Sequence, residues 1–121
     1  MKIFKVEDYI SMENPNPGLP HRPEILTDEH KAQGLGGMFG LLAPGNRVPY
    51  HYHNNRESII IVIHGEAIEV IEGEEIPIHA GDVLYIPAGE KHATLNRSDK
   101  DFRYLEFFTY PPVSADFIEV K

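Results

Sequence analysis

The chain has 121 residues, 41% of them hydrophobic and 25% charged, with ten glycines, ten prolines and no cysteine, which is the size of one domain and leaves little room for a second core. A formal net charge of −8 repels an extended phosphate backbone and argues against nucleic acid as a partner; the longest aliphatic run, Ile59 to Ile63, falls far short of the ~20 apolar residues of a membrane helix. Without cysteine there are no disulfides, thiolate ligands or Cys nucleophile, and a cytoplasmic protein is expected.

The opening MKIFKVEDYI has no hydrophobic leader region, and its KIFKV segment reads as a strand. Asn14 to Pro23 contains four prolines and a glycine and is expected to run as a loop or arm. Thr27 before DEHKAQ, with Gly34 beyond, supplies the cap residue, first-turn acids and terminating glycine of one or two helical turns. From Gly36 onward the pattern becomes strand and turn: GMFGLLA, VPYHYH, SIIIVIH, AIEVIE, IPIH, VLYIP, HATLN and FRYLEFFTY, each bounded by Gly, Pro, Asp or Asn. Such short segments rich in Ile, Val, Tyr and Phe are strands, so the fold class is all-β: a small antiparallel barrel, whose closure removes exposed edges, with at most one or two short helical turns near the N-terminus. The organisation is a single domain over 1–121, with an arm at 1–35, a barrel at 36–110 and a C-terminal segment at 111–121.

Ile59 to Ile63 lacks the alternation of a strand with one wet face, so both faces are expected to be covered. The second cover is a further layer, the N-terminal arm or an identical subunit, and a homodimer is the expected assembly.

His51 and His53 lie two apart in a strand-like segment, which puts both imidazoles on one face with backbones roughly 7 Å apart. Glu57 follows four residues on, and His92 stands at the head of HATLN directly after the turn PAGEK. Three imidazoles and a carboxylate suit one divalent transition metal (Fe, Mn, Zn, Ni or Cu) better than Ca²⁺ or Mg²⁺, and leave positions open for a substrate.

At these residues the chain resembles the cupin superfamily. Gly81, Pro87, Gly89, His92 and Asn96 match its signature Gly-x5-Pro-x-Gly-x2-His-x3-Asn completely. Gly45, His51, His53 and Gly65 match Gly-x5-His-x-His-x3-4-Glu-x6-Gly, with Glu57 at the three-residue spacing. The resemblance spans 45–96 and implies a small jelly-roll barrel with a metal in its mouth, held by His51, His53, Glu57 and His92. One departure stands out: Gly65 falls in register if the fourth position is Ser58 rather than Glu57. Neighbours on a regular strand face opposite ways, so Glu57 turns inward only if a bulge lies between Asn54 and Ser58.

Asn96, Tyr104 and Glu106 are further candidates for the cavity or for support of the ligands. The last strand presents either Phe102, Tyr104, Glu106 and Phe108 or Arg103, Leu105 and Phe107 to the interior; an inward Glu106 adds a carboxylate, an inward Arg103 favours an anionic substrate. His64, His79, His21 and His30 read as surface residues. The leading functional reading is a metal-dependent enzyme acting on a small polar molecule, of dioxygenase, decarboxylase or isomerase type. The rival is a non-catalytic module that binds a sugar or organic acid.

Overall fold

The glycine- and proline-bounded segments form ten strands in two five-stranded antiparallel sheets of a computed structural model describing all residues, 1–121. The strands are β1 (Glu24–Leu26), β2 (Leu35–Leu42), β3 (Arg47–Tyr52), β4 (Ser58–His64), β5 (Glu66–Ile71), β6 (Glu74–His79), β7 (Val83–Ile86), β8 (His92–Leu95), β9 (Phe102–Thr109) and β10 (Ile118–Glu119). One sheet has the order β1-β2-β9-β4-β7 and the other β10-β3-β8-β5-β6. The fold is the expected all-β jelly roll, built as two facing sheets. Helix is confined to α1 (Val6–Ile10) and two 3-10 turns, Asp28–His30 and Val113–Asp116, and no helix is long and apolar enough to cross a membrane.

β4 explains why both faces of its sheet are apolar. Ile60 and Val62 point between the sheets into a core with Met38, Leu42, Val48, Ile86, Phe102, Tyr104 and Phe108. Ile61 and Ile63 point outward, against a second cluster of Tyr9, Phe39, Leu41 and Leu105. The arm is therefore the cover for this face. The expected KIFKV strand is corrected: Val6–Ile10 is helical, because Val6, Tyr9 and Ile10 follow the spacing of a helix face and Tyr9 is the side chain it buries, 5.3 Å from the Phe39 ring. Arg103 lies on this outer side and pins the arm by donating to the Tyr9 and Met12 carbonyls, 2.7 Å each. It does not enter the interior, whereas Glu106 does: Glu106 shares a face with Phe102, Tyr104 and Phe108 and is buried.

The turn expected around Thr27 is present as a single 3-10 turn, in which the Thr27 N–H donates to His30 Nδ1. His79 is solvated near Glu66 and Asp82. His64 and His21 are half-buried, His64 against the Asp101 carbonyl and His21 edge-on to Phe39.

Candidate metal centre

His51 and His92 are direct partners across β3 and β8. Val48 pairs with Thr94, and His51 with His92, so β3 carries one residue more than β8 over this stretch. This bulge reverses the alternation of β3: Val48 packs in the inter-sheet core, and three residues later His51 is also buried. His53 lies just past the end of β3, where its carbonyl accepts the Gly89 N–H at 2.7 Å. Gly89 has φ +83°, a left-handed conformation that glycine adopts without strain, and the turn it makes carries the chain into His92.

Each imidazole is oriented through its Nδ1. That of His51 donates to the Pro49 carbonyl (2.6 Å), that of His53 to the Asp116 carbonyl, and that of His92 to Glu69 Oε2 (3.0 Å). Carbonyl and carboxylate oxygens accept, so the three Nδ1 atoms hold the protons and the Nε2 lone pairs are left for another use. All three residues are buried, and one ligand atom from each lies within 4.8 Å of the others. His92 Nε2 is buried with no hydrogen-bond partner. Burial, reinforced by the neighbouring His92, lowers the His51 pKa to about 3, and burial also lowers that of His53, so both rings are neutral at neutral pH. Three buried imidazoles with ligand nitrogens this close together fit a divalent transition metal, and the orphaned His92 Nε2 has no other evident partner.

Glu57 is not brought to this group. Its side chain is exposed and Oε1 accepts the Tyr85 hydroxyl at 2.6 Å, while its N–H donates to Thr109 Oγ1. β4 begins at Ser58 in regular register with Ile86 and Phe108, and Ser58 faces inward with a buried Oγ that has no partner. The bulge needed to turn Glu57 inward is in β3 instead. Asn96 is buried but spent on structure: Nδ2 donates to the Leu42 and Lys100 carbonyls, and Oδ1 accepts from Ser98. Tyr104 and Glu106 lie between the sheets, where burial pushes the Tyr104 hydroxyl up to about 12.

Sequence reasoning missed Glu69, Asp116 and Phe117. Glu69, 1% exposed, accepts from both His92 and Thr94 Oγ1 (2.6 Å); burial raises its pKa, against the pull of these bonds. The available signal was its parity with Ala67 and Ile71 in AIEVIE, which puts it on the buried face. Phe117 stacks on His51 at 4.2 Å between ring centroids, and β10 pairs with β3 at Tyr52 and His51. The C-terminal segment thus forms one wall of the centre. Surface grooves such as the one between Gly65, His79 and Lys100 contain none of these residues.

The Cupin domain family model matches residues 38–108, which include all three histidines. The chain belongs to the cupin family. An uncharacterized conserved protein with a double-stranded β-helix domain from Klebsiella pneumoniae is 24% identical, with a TM-score of 0.80 over 100% of this chain and 99% of that one. A protein named a predicted oxalate decarboxylase, from Thermotoga maritima, is 26% identical (TM-score 0.68; 76% of this chain, 81% of that one). A sugar phosphate isomerase from a cupin superfamily, from Silicibacter pomeroyi, is 26% identical (TM-score 0.65; 75% of this chain, 60% of that one). No curated protein matches the sequence. The cupin fold and the three-histidine group agree with the sequence reading.

Proposed function

We propose that this cupin is a metal-dependent enzyme acting on a small polar molecule, with Nε2 of His51, His53 and His92 as the protein ligands and Glu57 excluded. The observation that carries the reading is the set of three tethered Nδ1 atoms, which leaves Nε2 free on three buried histidines whose ligand atoms lie within 4.8 Å of one another. A bound Fe, Mn, Zn, Ni or Cu supplies Lewis acidity toward a substrate oxygen.

The remaining steps belong to the chain itself. Glu69 and the Pro49 and Asp116 carbonyls hold the imidazoles in one tautomer and one orientation. Phe117 and the apolar inter-sheet side chains exclude water. Glu106 is a carboxylate on the inner face of β9 and is the candidate to take or return a proton. Two similar structures bear the names of enzymes for oxalate and for sugar phosphates, both small and rich in oxygen, which supports this substrate range. The exposed Ile59, Val83 and Tyr85 at the β4–β7 edge support a homodimer in solution, read out by light scattering, and the absence of cysteine supports a cytoplasmic setting.

The test is metal analysis of protein purified without a His tag, beside His92→Ala. The wild type should carry about one equivalent of metal per chain and the variant almost none; equal metal content in both would overturn the reading. Turnover of a small oxygen-rich acid by the metal-loaded wild type, lost in Glu106→Gln while the acid still binds, marks an enzyme; binding by the wild type without turnover marks a binding module.

A further inference from the structure

Arg22 sits in the proline-rich arm, remote in sequence from the histidines, yet its side chain reaches the interior. The pairings His21–Leu41 and Glu24–Met38 place Arg22 opposite Gly40 on β2, and Gly40 lies opposite Tyr104 on β9. His21 packs outward on Phe39, so its neighbour Arg22 projects to the inner face. Gly40 lets the two side chains meet: a Cβ there would overlap the Tyr104 ring. With only hydrogen at that position, the ring lies across β2 and the Tyr104 hydroxyl comes beside the Arg22 guanidinium.

This guanidinium is underused. Its Nε is buried with no hydrogen-bond partner, and no carboxylate is in ion-pair contact with it. The two fully buried arginines are committed. Arg56 donates to the Thr109, Tyr110 and Pro112 carbonyls and lies over the Phe108 ring, while Arg103 holds the arm from outside. Arg22 is half-buried with an unpartnered Nε, and a ligand oxygen pair offsets the cost of that partial desolvation with forked, charge-assisted bonds. Tyr104, opposite Gly40, packs in the same inter-sheet core as Val48 of β3, the strand that carries His51, so the cation and the histidine centre share one interior.

We propose that Arg22 and the Tyr104 hydroxyl form a carboxylate-binding subsite beside the three-histidine centre, and that the substrate is a small monocarboxylate carrying a second oxygen donor. The inference rests on the metal-centre reading and deepens it by naming the substrate class. A monoanion fits better than a phosphate dianion because a single free guanidinium faces Glu106, two residues from Tyr104 on the same face of β9, which repels a second negative charge. The three-histidine ligand set contains no carboxylate, so a bound metal dication would keep most of its charge for the substrate's other oxygen.

The test titrates glycolate, with inorganic phosphate and uncharged ethylene glycol as comparisons, into metal-free and zinc-loaded full-length protein. Binding is followed by calorimetry and by the Arg22 Nε–Hε resonance. Glycolate should saturate and shift that resonance, ethylene glycol should not, and phosphate should bind more weakly. Arg22→Gln should weaken glycolate by about tenfold or more, and Tyr104→Phe by about threefold or more. Glycolate affinity within about twofold of wild type in folded Arg22→Gln would overturn the subsite, as would tighter binding of phosphate or no saturation at all. If Arg22→Gln does not fold, Arg22→Lys and Tyr104→Phe decide, and unchanged affinity in both is equally fatal. A zinc titration of the same samples separates the two readings. Zinc bound with glycolate indifferent to Arg22 sinks only the subsite; no zinc bound with glycolate dependent on Arg22 sinks only the metal centre.

Discussion

Replacing Glu69 by Gln keeps the volume of the side chain, removes its capacity for negative charge and exchanges one of its two accepting oxygens for a donor. In the wild type the carboxylate accepts from His92 Nδ1 at 3.0 Å and from Thr94 Oγ1 at 2.6 Å. The amide has one accepting oxygen and one donating nitrogen. If the oxygen stays with Thr94, the NH₂ faces His92 Nδ1, and that contact favours the tautomer whose proton sits on Nε2, the atom needed as a ligand. Loss of such a partner typically costs about 10–100-fold in metal affinity, which is roughly 1.4–2.7 kcal/mol at 1.36 kcal/mol per decade. The metal-free protein should lose far less, because burial already disfavours the Glu69 carboxylate. Competitive titration of zinc against a chromophoric chelator measures the first quantity and urea unfolding of the metal-free protein the second. Wild-type zinc affinity in Glu69→Gln would refute the role given to Glu69, and a stability loss matching the affinity loss would reduce it to a core residue.

Two further predictions concern the same interior. Ser58→Ala removes a buried hydroxyl that has no partner, so the metal-free protein should gain about 1 kcal/mol or stay level, with zinc stoichiometry unchanged; a fall in zinc affinity by calorimetry would make Ser58 a ligand. The metal-free protein should also weaken in acid through His51, whose folded pKa of about 3 lies below its ordinary 6.5. The unfolded chain binds that proton first, so the stabilisation is complete above about pH 6.5 and is lost progressively from there toward pH 3, by about 2 kcal/mol at pH 5. Urea midpoints at pH 7 and pH 5 should fall more in the wild type than in His51→Asn, a comparison that cancels the other titrating groups; parallel shifts would contradict the burial argument.

The histidines were legible in the sequence because coordination chemistry restricts both residue type and spacing, and the turn Pro87–Gly89 fixes where His92 begins its strand. Glu57 was not legible. Whether it or Ser58 faces inward depends on where β4 starts and where the bulge falls, and the one that matters is in β3, where a pairing of Val48 with Thr94 and of His51 with His92 has no local signature beyond Pro49. Glu69 was hidden for another reason: a carboxylate in an alternating strand reads as solvated until the facing strand places His92 and Thr94 over it. Arg22 could not be read at all, since its surroundings are made by a glycine on β2 and a tyrosine on β9. The two-sided apolar character of β4 was visible, but only the docked arm shows which of three covers satisfies it.

The C-terminal segment is the least obvious support of the centre and the most open to test. The Asp116 carboxylate accepts the N–H groups of Asn54, Asn55 and Arg56 at 2.8, 2.7 and 3.1 Å, closing the loop that follows His53, and its carbonyl accepts from His53 Nδ1. Desolvation raises the Asp116 pKa, but these three bonds outweigh it and the net shift is downward, so the clamp is charged at neutral pH. Asp116→Ala frees three donors at once, roughly 2–3 kcal/mol of local closure if each bond nets about 1 kcal/mol. The amides of Asn54, Asn55 and Arg56 should then exchange with solvent markedly faster while those of β9 keep their protection. Because the same residue anchors the ring of His53, zinc affinity should fall about tenfold. Faster exchange with unchanged zinc affinity would mean that the Asp116 carbonyl and the β3 end hold His53 without the carboxylate, and that the C-terminal segment shields the centre without orienting it.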